Sequence, residues 1–235
     1  MTLNVPASEP AEREPARPLV VAIDGPAASG KSSTAKWVAH ALGVVHVDSG
    51  SLYRAVTTAR LRRGGEPASW TERELLDEAE AVTLVPEDTS MVPRLDGQAI
   101  DDEMRGAAVT AAVSLVARMP GVRDWVNAQV RRTAEERAVV VDGRDMGTAV
   151  FPEAQLKIFL IADSWERARR RLVQRLERRP TDAEIADETE ALVRRDAKDE
   201  AQTQRAPDAV LMDTTYLTQE EQVVRIVALA RAAMR

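Results

Sequence analysis

Eight consecutive residues, Gly25-Pro26-Ala27-Ala28-Ser29-Gly30-Lys31-Ser32, carry the clearest chemistry in the sequence. Their spacing is G-x-x-x-x-G-K-S. Glycines let a backbone wrap closely around phosphate oxygens, and amide N–H groups at a helix start point at an anion. Lys31 has the reach and the point charge for the β- and γ-phosphates of a nucleotide, and the Ser32 hydroxyl suits Mg2+. The cradle spans Gly25 to Ser33. Chance alone produces such a match in a chain of this length on the order of one time in a hundred. A phosphate cradle does not name a reaction, because the same loop serves kinases, ATPases, GTPases and motors.

Two further segments supply an acceptor side. Asp48-Ser49-Gly50-Ser51-Leu52-Tyr53-Arg54 follows a strand-like run. Ser49 could be a simple helix cap, but Arg54, one turn further along with Tyr53, would face an acceptor phosphate. Asp142-Gly143-Arg144-Asp145-Met146-Gly147 follows a second buried run. A surface turn explains Asp and Gly there, but not an arginine directly after a buried strand.

The elements that must position these residues are legible in the hydrophobic pattern. Short apolar runs at 19–24, 44–48, 138–142, 156–161 and 209–213 read as buried strands. Helical spacing occupies 31–42, 49–63, 164–178 and 218–234, and Thr181 with Glu184 forms a capping box. Alternation of this kind implies an α/β fold: a doubly wound, parallel, five-stranded sheet covered on both faces. Ligands then bind at the carboxyl edge of the strands. Short pieces at 82–85, 92–95 and 98–100, broken by Pro86, Pro93 and Gly97, suggest a small antiparallel lobe inserted at about 65–118. Helical spacing from 107 to 118 breaks at Pro120-Gly121 and resumes at Val122.

With 235 residues and 44% hydrophobic content, the chain can bury one sizeable core. A net charge of −6 argues against broad nucleic-acid or membrane-surface binding, which needs a positive field. The absence of cysteine excludes disulfides, thiolate metal sites and a cysteine nucleophile, and fits a cytoplasmic protein. His40 and His46, the two histidines, lack metal-ligand spacing and read as structural. No run approaches the roughly 18 apolar residues of a membrane span. Residues 1–18, rich in Pro, Glu, Ala and Arg, read as a disordered tail, with 19–235 as the folded domain. A monomer is expected.

DGPAASGKSS, DSGSLYR, the segment carrying Ser114 and Arg123, and DGRDMGTAVFPEAQLKIFL together resemble the bacterial cytidylate kinases. The similarity runs from about Leu19 to the C-terminus. It implies a P-loop kinase fold, an inserted acceptor-binding lobe, a short lid at about 178–204, and transfer of phosphate from ATP to CMP or dCMP. It also places Ser49, Arg123 and Asp145 near the cytosine ring, Arg54 and Arg144 on the acceptor phosphate, and Ser114, Arg195 and Asp199 at the sugar and lid side. Lys31, Arg144 and Arg195 would carry the catalytic charge. At one point the chain departs from that pattern: Gln202 stands where an arginine is usual. Either Arg205 supplies the missing charge from a shifted place, or it is a solvated residue in a shortened connection before Pro207.

Phosphoryl transfer of this kind needs positioning and charge more than covalent chemistry, and a phosphate acceptor needs no general base. A kinase for another small acceptor, a nucleic-acid-dependent ATPase and a non-catalytic nucleotide-binding module are the competing possibilities. The arginines gathered at the acceptor edge disfavour the last.

Overall fold

The computed structural model describes residues 18–234. The expectation of a disordered tail therefore lies, Pro18 apart, outside the described residues. Along the chain the elements are β1 (Val20–Asp24), α1 (Lys31–Leu42), β2 (Val45–Asp48), α2 (Ser49–Arg63), α3 (Glu72–Ala79), β3 (Val82–Glu87), β4 (Ser90–Leu95) and β5 (Gln98–Ala99). They continue with α4 (Asp101–Met104), α5 (Ala107–Val116), α6 (Pro120–Glu136), β6 (Val139–Gly143), β7 (Leu156–Ile161), α7 (Ser164–Leu176), α8 (Asp182–Asp199), β8 (Val210–Asp213) and α9 (Gln219–Ala233).

Five strands run parallel in the order β2-β6-β1-β7-β8. Side chains alternate across them. Ala22, Val47, Val139 and Val141 face one cluster with Leu52 and Val56 of α2 and Val122, Val126 and Val130 of α6. Val21, Ile23, Val140, Ile158 and Leu160 face the other, against Val38 of α1 and Ile226 of α9. Each buried aliphatic side chain contributes about 1.5–3 kcal/mol, so both faces must be covered, which is why the strands read as unbroken apolar runs. A third, smaller cluster joins Ala27 to Ala168 and Leu172 of α7 and Ile185 and Leu192 of α8.

β3 and β4 are longer than expected and β5 is one residue shorter, and all three are hydrogen-bonded into the same sheet. β4 pairs with β3 and β5, and runs parallel to β2 at His46–Ser90 and Val47–Met91. Pro86 and Pro93 do not break the strands. Pro86 lies on the edge strand β3, and β4 leaves β2 after Met91, so neither proline has to donate to an inner ladder. Gly97 is a hairpin turn: Asp96 and Gly97 both take positive φ, 50° and 76°, as a tight two-residue connection requires. Likewise Pro120 starts α6, where its fixed φ suits the first turn. The short helix α4 left no sequence signal of its own. Among the described residues no helix is long and apolar enough to cross a membrane.

Candidate active site

Strand register brings three carboxylates to one edge. Asp48 ends β2 opposite Asp142 of β6, and Asp24 ends β1 opposite Gly143. The cradle loop leaves β1 here and enters α1. Only glycine fits at position 25, because a Cβ would lie 2.1 Å from the Leu160 carbonyl oxygen. Lys31 folds back over the loop and donates to the Pro26 carbonyl at 2.7 Å. Burial, helped by the neighbouring Arg144, pulls its pKa down to about 7. Asp142, Asp24 and Asp48 set some negative charge against this buried ammonium, and bound phosphates would add to it.

Ser32 Oγ donates to Asp142 Oδ2 at 2.6 Å, and His46 Nε2 meets Asp142 Oδ1 at 2.7 Å. Burial pulls the His46 pKa down, but its hydrogen bond and charge contact with Asp142 outweigh that, and the net direction is up. Burial and the Asp142 charge push Asp48 up to about 6, while its side chain caps α2 through Ser51 N–H at 3.3 Å. The capping role left open for Ser49 thus belongs to Asp48. Asp24, also pushed up to about 6 by burial, accepts from Met146 N at 2.8 Å and Gly147 N at 2.7 Å. It holds the wide helical turn at 146–150 that carries Asp145 at its start. Among the described residues no group of three or more His, Cys, Asp or Glu could cage a metal ion. The oxygens of Ser32 and Asp142 suit Mg2+, a hard cation that keeps several waters and takes its other ligands from nucleotide phosphates.

On the acceptor side Arg123 forms an ion pair with Asp145 and donates to the Ala117 carbonyl at 3.0 Å. Tyr53 lies beside them, with its hydroxyl pushed up to about 12 by burial. Ser49 is buried and donates to the Asp142 carbonyl at 2.9 Å. Arg54 reaches the Met104 carbonyl at 3.1 Å and Thr110 Oγ1 at 3.3 Å. Arg144 donates to the Gly25 carbonyl and to Asp199 Oδ2, both at 3.0 Å, and Arg195 Nε lies 3.7 Å from the same carboxylate. These residues, with Ser114 of α5, line one cleft of about 1210 Å³ that includes Lys31, Ser32 and Ser33. Gly25, Pro26 and Ser29 belong to the loop but not to the cleft wall.

Three further residues contribute to the site. The sequence places Asp142 after a buried run but does not show its contacts with Ser32 and His46. Asp196 of α8 accepts from Ala27 N–H at 3.1 Å and from Arg167 at 2.6 Å, so the end of α8 is clipped to the cradle. Arg171 of the arginine-rich α7 faces the cleft near Arg54. Burial lowers the pKa of Arg54 and of Arg144, and nearby arginines push the same way. An acidic chain thus concentrates positive charge in one cleft, which favours polyanions.

Gln202 lies on the cleft wall and Arg205 does not; Arg205 is exposed. The geometry thus favours the solvated alternative for Arg205. Arg205→Ala is expected to keep kcat within about twofold of the parent, as surface substitutions away from special contacts usually do. A loss of tenfold or more in steady-state turnover would return Arg205 to the site.

Compared with known proteins, residues 21–232 match the model of the family described as cytidylate kinase. The chain belongs to the cytidylate kinase family. A cytidylate kinase of Geobacillus kaustophilus is 44% identical over 215 residues, covering 89% of this chain and 95% of that protein. One from Thermus thermophilus is 42% identical over 213 residues, covering 89% and 97%. Among solved structures, an uncharacterized protein from Eubacterium ventriosum aligns with a TM-score of 0.50 at 10% identity, covering 91% of this chain and 99% of that one. That likeness speaks to the fold alone. As a cytidylate kinase family member the chain is a nucleoside monophosphate kinase.

Proposed function

We propose that this kinase transfers the γ-phosphoryl group of ATP to CMP or dCMP, giving ADP and CDP or dCDP. The observation that carries the acceptor assignment is the Arg123–Asp145 pair on the cleft wall. A carboxylate beside a guanidinium offers an acceptor next to donors. Cytosine presents the complement: an exocyclic amine that donates, beside a ring nitrogen and a carbonyl that accept. Uracil presents a carbonyl where cytosine has the amine, which would set two acceptors face to face.

In this reading Lys31 and the cradle amides hold the β- and γ-phosphates. Ser32 and Asp142 would hold Mg2+ with the phosphate oxygens, and the ion supplies neutralising charge when bound. Arg54 and Arg144 hold the acceptor phosphate in line, and Arg195 adds charge from α8 as it builds on the transferring group. Ser49, Tyr53 and Ser114 shape the acceptor pocket, and Asp199 orients Arg144 and Arg195. No base is needed, because the acceptor phosphate is already an anion. The insert at about 65–118 carries acceptor contacts, and the segment at about 178–204 closes over the phosphates to exclude water.

The residue-level test is Asp145→Ala. The ratio of kcat/KM for CMP to that for UMP is expected to fall by roughly 10–100-fold, the equivalent of an unmet hydrogen bond of about 1–3 kcal/mol. Using the ratio cancels losses common to both substrates, such as the freed Arg123. An unchanged ratio removes Asp145 from base recognition.

A further inference from the structure

His46 has no part in the chemistry above, yet it sits in the middle of a buried polar chain. Ser90 of β4, His46 of β2, Asp142 of β6 and Ser32 of α1 follow one another in space. The links are 3.3 Å from Ser90 Oγ to His46 Nδ1, 2.7 Å from His46 Nε2 to Asp142 Oδ1, and 2.6 Å from Ser32 Oγ to Asp142 Oδ2. His46 is 6% exposed and Asp142 1% exposed. The two carboxylate oxygens of Asp142 thus have separate partners on opposite sides.

A carboxylate can rotate about its Cβ–Cγ bond, and at this edge it has several calls on it: Ser32, a cation, and water entering from the cleft. A fixed N–H donor on Oδ1 removes that freedom. In either the neutral Nε2–H tautomer or the protonated ring, Nε2 donates to Asp142, so the orienting bond does not depend on the charge of the ring. Ser90 meets the other nitrogen and holds the ring plane. The backbone fixes the spacing, since His46 N donates to the Thr89 carbonyl at 2.7 Å and His46 and Ser90 are register partners.

Resting on the phosphoryl-transfer reading of this cleft, we propose that His46 is a positioning residue. Its Nε2–H holds the Asp142 carboxylate so that Oδ2 is presented to Ser32 and to the divalent cation bound with the donor phosphates. Through Ser90 the same ring ties that orientation to the β3–β4 hairpin. Groups that orient a metal ligand typically change metal affinity 10–100-fold when removed.

The test compares the affinity of a non-hydrolysable ATP analogue with and without Mn2+ for the whole protein, by titration calorimetry. In the parent the cation is expected to tighten binding. In His46→Leu that gain is expected to shrink roughly tenfold or more, while the affinity for the cation-free analogue stays within about twofold. His46→Gln, which places an amide N–H near the position of Nε2, is expected to recover most of the gain. A merely structural role would change the melting temperature and leave the cation gain alone. If His46→Leu does not fold, the comparison passes to His46→Gln and the shorter His46→Asn, of which only the first is expected to keep the gain. Equal cation gain in the parent and every folded variant overturns the proposal. No cation gain in the parent itself instead overturns the metal reading of Ser32 and Asp142, on which the proposal stands.

Discussion

Replacing Lys31 with alanine is expected to lower kcat by a factor on the order of 10³ and to leave the protein folded. The size follows from removing a preorganised charge that faces the donor phosphates, a loss usually worth 10²–10³ or more. The intact fold follows from the local structure. Lys31 is the first residue of α1, among the described residues its ammonium bonds only the Pro26 carbonyl, and alanine is the best helix former. The pH dependence points the same way. Because burial lowers the folded pKa of Lys31 to about 7, below the ordinary lysine value, its charge opposes folding. That opposition is full below about pH 7 and fades as pH rises toward the ordinary lysine range. The melting temperature of Lys31→Ala at neutral pH is therefore expected to hold or rise. Turnover within tenfold of the parent, with the fold intact, contradicts the assignment.

Arg144→Ala is expected to lower kcat/KM for CMP by roughly 10²–10³, with kcat and KM both affected. One guanidinium here touches the cradle at the Gly25 carbonyl and α8 at Asp199, and it lines the cleft between donor and acceptor. Removing it would take away the proposed phosphate contact and the Arg144 partner of Asp199, which Arg195 also approaches. Arg144→Lys is expected to recover less than a tenth of the loss, because an ammonium cannot reproduce two directed contacts from one planar fork. Steady-state kinetics of both variants, with melting curves as the control for folding, decide it. A fully active Arg144→Lys would mean that only a charge is needed there, and not a bridge.

The sequence made the cradle, the parallel strands and the residues that follow them legible because those signals are local. Lys31 and Ser32 belong to one octapeptide, and Arg54 and Arg144 each sit a few residues beyond a buried run. The five-strand core came from apolar runs that only a sheet covered on both faces can use. What stayed hidden is tertiary. Ser32 and Asp142 are 110 residues apart, and only the β2-β6-β1 order brings them together. His46 read as structural because no metal spacing surrounds it; its partners come from β4 and β6. The prolines of the insert suggested broken strands, since a sequence shows that a residue lacks an N–H but not whether the sheet asks for one there. Asp196 could not be assigned to the cradle, because helical spacing shows a face and not what that face meets.

The most direct test is an acceptor panel: CMP, dCMP, UMP, AMP and GMP, each with ATP and Mg2+, with separation of the nucleotide products. CMP and dCMP are expected to be converted to their diphosphates in step with ADP, at kcat/KM values at least tenfold above those of the other acceptors. ADP release that ignores the acceptor, or a preference for UMP, AMP or GMP, would contradict transfer to a cytosine nucleotide in this cleft.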